Sequence, residues 1–234
     1  MSLCKTLFTT MGVYNLEYFV ILHIEMAKHI AIAGNIGAGK TTLAKLLSTH
    51  FDWELQLEDM KDNPYISDFY EDMQRWSFNL QVYFLTQRWQ GIQAIREGKS
   101  SVVQDRSIYE DAHIFAPNLH AMGLMSTRDF ENYTTLFDSI SEQVPKPDLL
   151  IYLRAGIPKL VNQIQMRGRD YEDAIRLDYL KRLNERYEAW IKTYEGELLI
   201  FNTDDLEFAD NPDDQAKIIN QIESVMNGLF TNKG

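Results

Sequence analysis

The chain alternates short apolar runs with longer stretches of helical periodicity. The run "HIAIA" (29–33) is apolar and carries no acidic residue, lysine or arginine, the pattern of a strand buried on both faces. Four further runs read as strands: "WELQL" (53–57), "SSVVQ" (100–104), "PDLLIYLR" (147–154), which is entered through prolines, and "LLIF" (198–201). Between them the spacing predicts helices over 40–50, from the turn at Asn63-Pro64 onward, and over 75–98 with Gly98 as the stop. Further helices are predicted over 107–116, 127–142, 157–166 and 175–194, with a terminal one near 213–229. Strands alternating with helices imply parallel βαβ units, so the predicted fold is α/β: about five parallel strands with helices on both faces. In such sheets ligands gather at the carboxyl ends of the strands, and that rule sorts the polar residues below.

Composition narrows the picture without changing it. A chain of 234 residues suits one domain of this kind, and 45% hydrophobic with 24% charged residues argues against disorder. The net charge of -11 argues against a surface that coats nucleic acid or membrane, so any nucleotide site must concentrate its Lys and Arg locally. The single cysteine, Cys4, excludes an intrachain disulfide and a cysteine zinc cluster and fits a reducing, cytoplasmic setting. No stretch reaches the roughly 18 apolar residues that span a bilayer. The run "LEYFVILHIE" (16–25) is short, has acids near both ends and lacks a small-residue cleavage site. Residues 1–25 therefore read as an extension ahead of a domain over 26–234, either an upstream segment from a misassigned start or an arm that packs.

The chemistry begins at "GNIGAGKTT", which satisfies G-x-x-x-x-G-K-[ST] between a strand and a helix. Its glycines let backbone N–H groups turn toward phosphate oxygens, Lys40 supplies charge at the β- and γ-phosphates, and the Thr41 hydroxyl can ligate Mg²⁺. The predicted donor-phosphate segment is Gly34, Asn35, Ile36, Gly37, Ala38, Gly39, Lys40, Thr41 and Thr42, on a helix whose positive end faces the anion. The loop alone does not separate a kinase from a GTPase or a motor.

Other residues converge on the same rim. Asp105 and Arg106 follow the third strand, where an acid can hold Mg²⁺ and an arginine can neutralise a transferring phosphoryl group. Glu58 closes the second strand, in reach of an attacking hydroxyl whose proton it would accept; the competing reading is a solvated turn with Asp59. Gln81 and Arg88 lie two turns apart on one helix face with Phe84 and Leu85, suiting the edge of a base packed on a ring, or simply a half-exposed face. Arg167, Arg169 and Glu172 fall on a break between helices, placed either as a basic lid over phosphates or as an ordinary turn.

Taken together, "GNIGAGKTT", "NPYISDFYEDMQRWSFNLQVYFLTQR", "DRSIYED", "RGRDYE" and "FNTDDLEF" come in the order seen in deoxynucleoside kinases, and the chain resembles that family from Met26 to the terminal helix. The resemblance is greatest to bacterial deoxyadenosine/deoxyguanosine kinases. It implies a P-loop kinase fold with a short arginine-bearing lid, and ATP-dependent phosphorylation of a deoxynucleoside 5′-hydroxyl in nucleotide salvage. Glu58 is then similar to the family's general base, Arg106 to the arginine at the 5′-oxygen, and Asp105 to an acid that serves Mg²⁺ or, in another account, takes the proton. Tyr70 and Glu172 resemble the pair at the sugar 3′-hydroxyl, Gln81 the amide at the base edge, and Arg88 with Asp111 the pair that reads the rest of the base. Thr41 and Asp105 are the implied Mg²⁺ residues, Arg167 and Arg169 the lid residues on the donor phosphates, and 202–208 the loop at the donor adenine. The Arg88–Asp111 combination points away from thymidine, toward deoxyadenosine, deoxyguanosine or deoxycytidine, and the family likeness favours deoxyadenosine. A homodimer without nucleic-acid or membrane partners is also implied. Two departures stand out: Asp59 follows Glu58 where animal members carry proline, and Gln163 stands where many members place another lid arginine. A nucleoside monophosphate kinase and a nonenzymatic ATP-binding regulator are the rival readings.

Overall fold

A computed structural model of the chain describes residues 27–58, 63–169, 172 and 175–231. The extension read over 1–25, and Asp59, lie outside the described residues. Five strands form one sheet: β1 (His29–Gly34), β2 (Glu54–Gln56), β3 (Val102–Asp105), β4 (Leu149–Arg154) and β5 (Leu198–Asn202). Their order is β2-β3-β1-β4-β5, and every neighbouring pair runs parallel. The most apolar strands, β1 and β4, sit at and beside the centre, where both faces are covered.

The helices are α1 (Lys40–Phe51), α2 (Ile66–Glu71), α3 (Met73–Glu97), α4 (Ile108–Glu110), α5 (Ala116–Ala121), α6 (Thr127–Ser141), α7 (Ile157–Arg167), α8 (Leu177–Lys192) and α9 (Pro212–Thr231), with a π-helical turn, Asp111–Phe115, joining α4 to α5. They divide between the faces as the strand alternation dictates. Ala31, Ala33, Leu150 and Tyr152 face a cluster built by α3, α6 and α8, including Leu85, Tyr133 and Leu183. Ile30, Ile32, Leu149, Ile151 and Leu153 face the other, built by α1, α7 and α9, including Leu47, Leu160 and Ile222.

The predicted elements are all present, with instructive differences at their ends. β2 is shorter than 53–57, an edge strand that pairs with β3 alone and leaves Leu55 exposed. β3 starts at Val102 and runs one residue further than predicted, to Asp105. The helix expected from Asn63-Pro64 starts at Ile66, after an Asx turn in which the Asn63 side chain accepts from the Tyr65 N–H at 2.9 Å. A break at Asp72 separates α2 from α3, and the Asp72 carboxylate caps α3 by accepting from the Arg75 N–H at 3.0 Å. The predicted helix over 107–116 contains the π turn, a geometry often found at functional sites.

Candidate active site

The sheet's central strand delivers the phosphate loop. Gly34 ends β1 with φ +152°, and a Cβ there would lie 2.8 Å from the Leu153 carbonyl oxygen; Gly37, at φ +84°, would bring a Cβ equally close to that of Leu160. Only glycine fits either position without moving backbone. The loop curls over Lys40, whose ammonium donates to the Asn35 carbonyl at 2.9 Å. Burial, aided by the Arg106 charge, lowers the Lys40 pKa to about 8, which leaves it charged at neutral pH. α1 begins at Lys40, so its N-terminal dipole faces the loop. Ile36, Gly37, Lys40 and Thr41 line the cavity above, while the other loop residues shape it. The Asn35 side chain turns to α8 and donates to the Leu180 carbonyl at 3.0 Å and to Asn184 Oδ1 at 2.6 Å. Ala38 joins the core, Thr42 is exposed, and Gly39 abuts the Phe208 ring, so the 202–208 segment packs directly on the loop.

That cavity, of about 570 Å³, lies at the carboxyl ends of β1, β2 and β3 and joins the predicted residues from both ends of the reaction. At the donor end, Thr41 Oγ1 donates to Asp105 Oδ2 at 2.5 Å, and the second Asp105 oxygen is buried without a partner. Hydroxyl and carboxylate oxygens beside a triphosphate loop suit a hard cation that keeps water and phosphate oxygens as its other ligands, so the pair fits Mg²⁺. No cluster of three or more acidic, His or Cys side chains suited to a metal occurs among the described residues. At the acceptor end, Tyr70, Gln81, Phe84, Asp111 and Phe115 form the wall. Gln81 is buried, and its Oε1 has no hydrogen-bond partner. A buried, unsatisfied amide in a cavity wall is what a ligand edge would complete.

Between the two ends sits a charge cluster. Glu58 Oε1 accepts from Arg88 Nη2 at 2.5 Å, and Oε2 accepts from Arg106 Nε at 3.4 Å. Burial alone would raise the Glu58 pKa, but Arg106, Arg88 and Lys40 overcome it and hold the carboxyl at about 2. Arg88 also donates from Nε to Asp111 Oδ2 and from Nη1 to the Arg106 carbonyl at 3.1 Å. Burial pushes Asp111 up to about 6 against the pull of Arg88. The shared helix face of Gln81 and Arg88 thus splits in depth. Seven residues displace the guanidinium by about 10 Å along the axis. Gln81 lines the large cavity, whereas Arg88 lies behind Glu58 and edges a neighbouring one of about 230 Å³.

Arg106 holds a left-handed backbone, φ +73°, rare outside glycine and costly unless the surroundings enforce it. They do: its N–H donates to the Ile32 carbonyl at 2.9 Å, and its guanidinium lies 4.8 Å from the Phe115 ring centroid. Its carboxylate partner Glu110 and its phenol partner Tyr187, both fully buried, escaped the sequence reading. Glu110 had a signal in its spacing, four residues after Arg106; Tyr187, on α8, had none. Across the cavity, Arg167 Nε donates to Glu172 Oε2 at 3.0 Å, and Arg169 Nη1 lies 3.5 Å from Oε1. Both arginines predicted for the lid therefore engage the buried acid predicted for the sugar.

The family model for deoxynucleoside kinases matches residues 30–227. The chain belongs to the deoxynucleoside kinase family. It is 38% identical over 208 residues to a deoxyadenosine/deoxycytidine kinase of Bacillus subtilis, covering 87% of this chain and 95% of that one. It is 37% identical over 217 residues to a deoxyadenosine kinase of Dictyostelium discoideum, covering 88% of each. A deoxyguanosine kinase of Bacillus subtilis is 32% identical over 208 residues, covering 87% of this chain and 100% of that one. Among solved structures, deoxyadenosine kinase of M. mycoides with bound dATP superposes with a TM-score of 0.74 at 27% identity, covering 83% of this chain and 98% of that one. The fold is thus the P-loop kinase fold, and this deoxynucleoside kinase is a phosphotransferase. No helix among the described residues is long and apolar enough to cross a membrane.

Proposed function

We propose that this deoxynucleoside kinase moves the γ-phosphoryl group of ATP to the 5′-hydroxyl of a deoxynucleoside, deoxyadenosine before deoxyguanosine or deoxycytidine, in nucleotide salvage. The observation that carries the reading is the continuous cavity joining Lys40 and Thr41 to Glu58, Arg106 and Gln81. Lys40 and the loop N–H groups hold the donor phosphates. Thr41 and Asp105 would hold Mg²⁺, which when bound neutralises charge on the phosphate oxygens. Glu58 accepts the proton of the 5′-hydroxyl. A carboxylate held at about 2 is a weak base, which suits a loose transition state in which the hydroxyl proton leaves late. Arg106 neutralises the transferring group, joined by Arg167 and Arg169 once they exchange Glu172 for phosphate. Glu172 and Tyr70 then meet the sugar 3′-hydroxyl.

Gln81 binds the base edge, and the Arg88–Asp111 pair reads the remainder. The relatives named for deoxyadenosine support placing that base first. A cytoplasmic homodimer belongs to the same reading. The test is ATP consumption with each deoxynucleoside and each deoxynucleoside monophosphate as acceptor. Turnover with deoxyadenosine at the highest kcat/KM and none with monophosphates is expected. Turnover with monophosphates alone would establish the rival monophosphate kinase.

A further inference from the structure

Behind the cavity wall, two fully buried side chains that line no part of it grip the site from the rear. Tyr187 Oη donates to Glu110 Oε1 at 2.7 Å and accepts from Arg106 Nη1 at 2.8 Å. The directions follow from chemistry, since guanidinium only donates and the phenol has one proton. Glu110 Oε1 also accepts from Arg106 Nη1 at 3.2 Å and from the Gly34 N–H at 3.3 Å, while Oε2 accepts from the Ser107 N–H at 2.8 Å. The Gly34 carbonyl in turn lies 3.5 Å from Arg106 Nη1.

We propose that Glu110 and Tyr187 are a positioning pair that locks the acceptor-side arginine, Arg106, to the first residue of the donor loop, Gly34. The inference rests on the assignment of Arg106 to the transferring phosphoryl group. The Gly34 N–H meets Glu110 and the Gly34 carbonyl meets Arg106, so the loop and the guanidinium shift together or not at all. An in-line transfer demands that the donor phosphate and the arginine keep a fixed separation, and small misplacements there are costly in rate. The lock is anchored outside the sheet. Tyr187 belongs to a stripe of α8 whose Asn184 side chain and Leu180 carbonyl also hold Asn35, so one helix face holds Asn35 directly and Gly34 through Glu110. A merely structural buried pair would be replaceable by apolar groups at little cost, whereas the three groups this one hydrogen-bonds, the Arg106 guanidinium and the Gly34 and Ser107 N–H groups, belong to the reacting centre or its adjacent backbone. Burial also raises the Tyr187 pKa well above that of a free phenol, so the bridging proton stays in place across the working pH range.

Tyr187→Phe removes the hydroxyl and keeps the ring stacked on Tyr152, whose centroid is 5.7 Å away. The expected result is a fall in kcat of about ten-fold, with the deoxynucleoside KM within about three-fold of the parent. The same substitution in an Arg106→Lys background, followed by labelled-phosphate transfer to keep low rates readable, is expected to cause no further loss. A residue acting through Arg106 must lose its effect when Arg106 is altered. A kcat within two-fold of the parent, or an equal loss in both backgrounds, overturns the positioning role. If Tyr187→Phe folds poorly, Glu110→Gln runs through the same cycle with the same criteria. Full turnover in Arg106→Lys alone would instead overturn the assignment of Arg106, and the lock with it.

Discussion

The donor and acceptor halves of the cavity are built on opposite plans. The donor half is mostly local: a run of adjacent residues from Gly34 to Thr42, shaped by backbone conformation, with a single buried cation, Lys40, and one partner from β3, Asp105. The acceptor half is assembled from β2, α3, β3 and the π turn, and its charges neutralise one another before any substrate arrives: Glu58 on Arg88 and Arg106, Asp111 on Arg88. A local half tolerates little change in the backbone. An assembled half is sensitive to which charge is removed, because the partners left behind are buried or, for Glu58, half-buried.

Four experiments press on this contrast. The largest effect is expected at the acceptor. Glu58→Gln should lower kcat by about 10²- to 10⁴-fold while deoxynucleoside binding, measured by calorimetry, is retained. Near-normal turnover would remove Glu58 from the proton path. Next, Gly37→Ala should raise the ATP KM about ten-fold or more and leave deoxynucleoside binding nearly unchanged, because its strain of ~1–3 kcal/mol falls on the loop and the α7 backbone at Leu160. An equal loss at both subsites would show that the strain reaches past the donor side.

The third separates the halves by pH. Asp111 acts ionised and Lys40 acts protonated, so their limbs lie on opposite sides of neutrality. The kcat/KM for deoxynucleoside should fall as pH drops below about 6, and the kcat/KM for ATP should fall as pH rises above about 8. Glu58, at about 2, contributes no limb in that range. Both limbs appearing in the same kcat/KM profile would contradict the division. The smallest effect is expected from Arg88→Lys, which keeps the charge and loses the fork. It should change the ranking of the four deoxynucleosides by several-fold with the ATP KM unmoved; an unchanged ranking would take Arg88 out of base reading.

The same contrast explains what was legible in the sequence. The donor loop is contiguous, so its residues announce their chemistry together, and the strands around it followed from apolar runs. At the acceptor, residue types were readable but depth was not. Arg88 shares a helix face with Gln81, yet it points into a knot of acids that no periodicity reveals. Glu110 and Tyr187 meet only because α8 packs against the π turn that follows Glu110. The boundary between α2 and α3 is predicted near residue 75, and a single capping carboxylate sets it at Asp72 instead. Glu172 drew attention for its charge, but its engagement with Arg167 and Arg169 depends on the fold of the turn that carries all three.

The π turn at Asp111–Phe115 has a consequence in chain length. A π turn holds one residue more than an α-helix needs, so a chain one residue shorter here would close into an ordinary helix. Five residues of π turn and four of α-helix sweep nearly the same angle, about 400°, so the segments on either side would keep their facing. The change would fall inside the turn, where Asp111 and Phe115 would stand three positions apart instead of four and the widened backbone between them would close. Deleting Ala112 therefore alters the cavity wall while sparing the helices that flank it. The count of residues between β3 and α6 specifies the acceptor wall as firmly as their identities do.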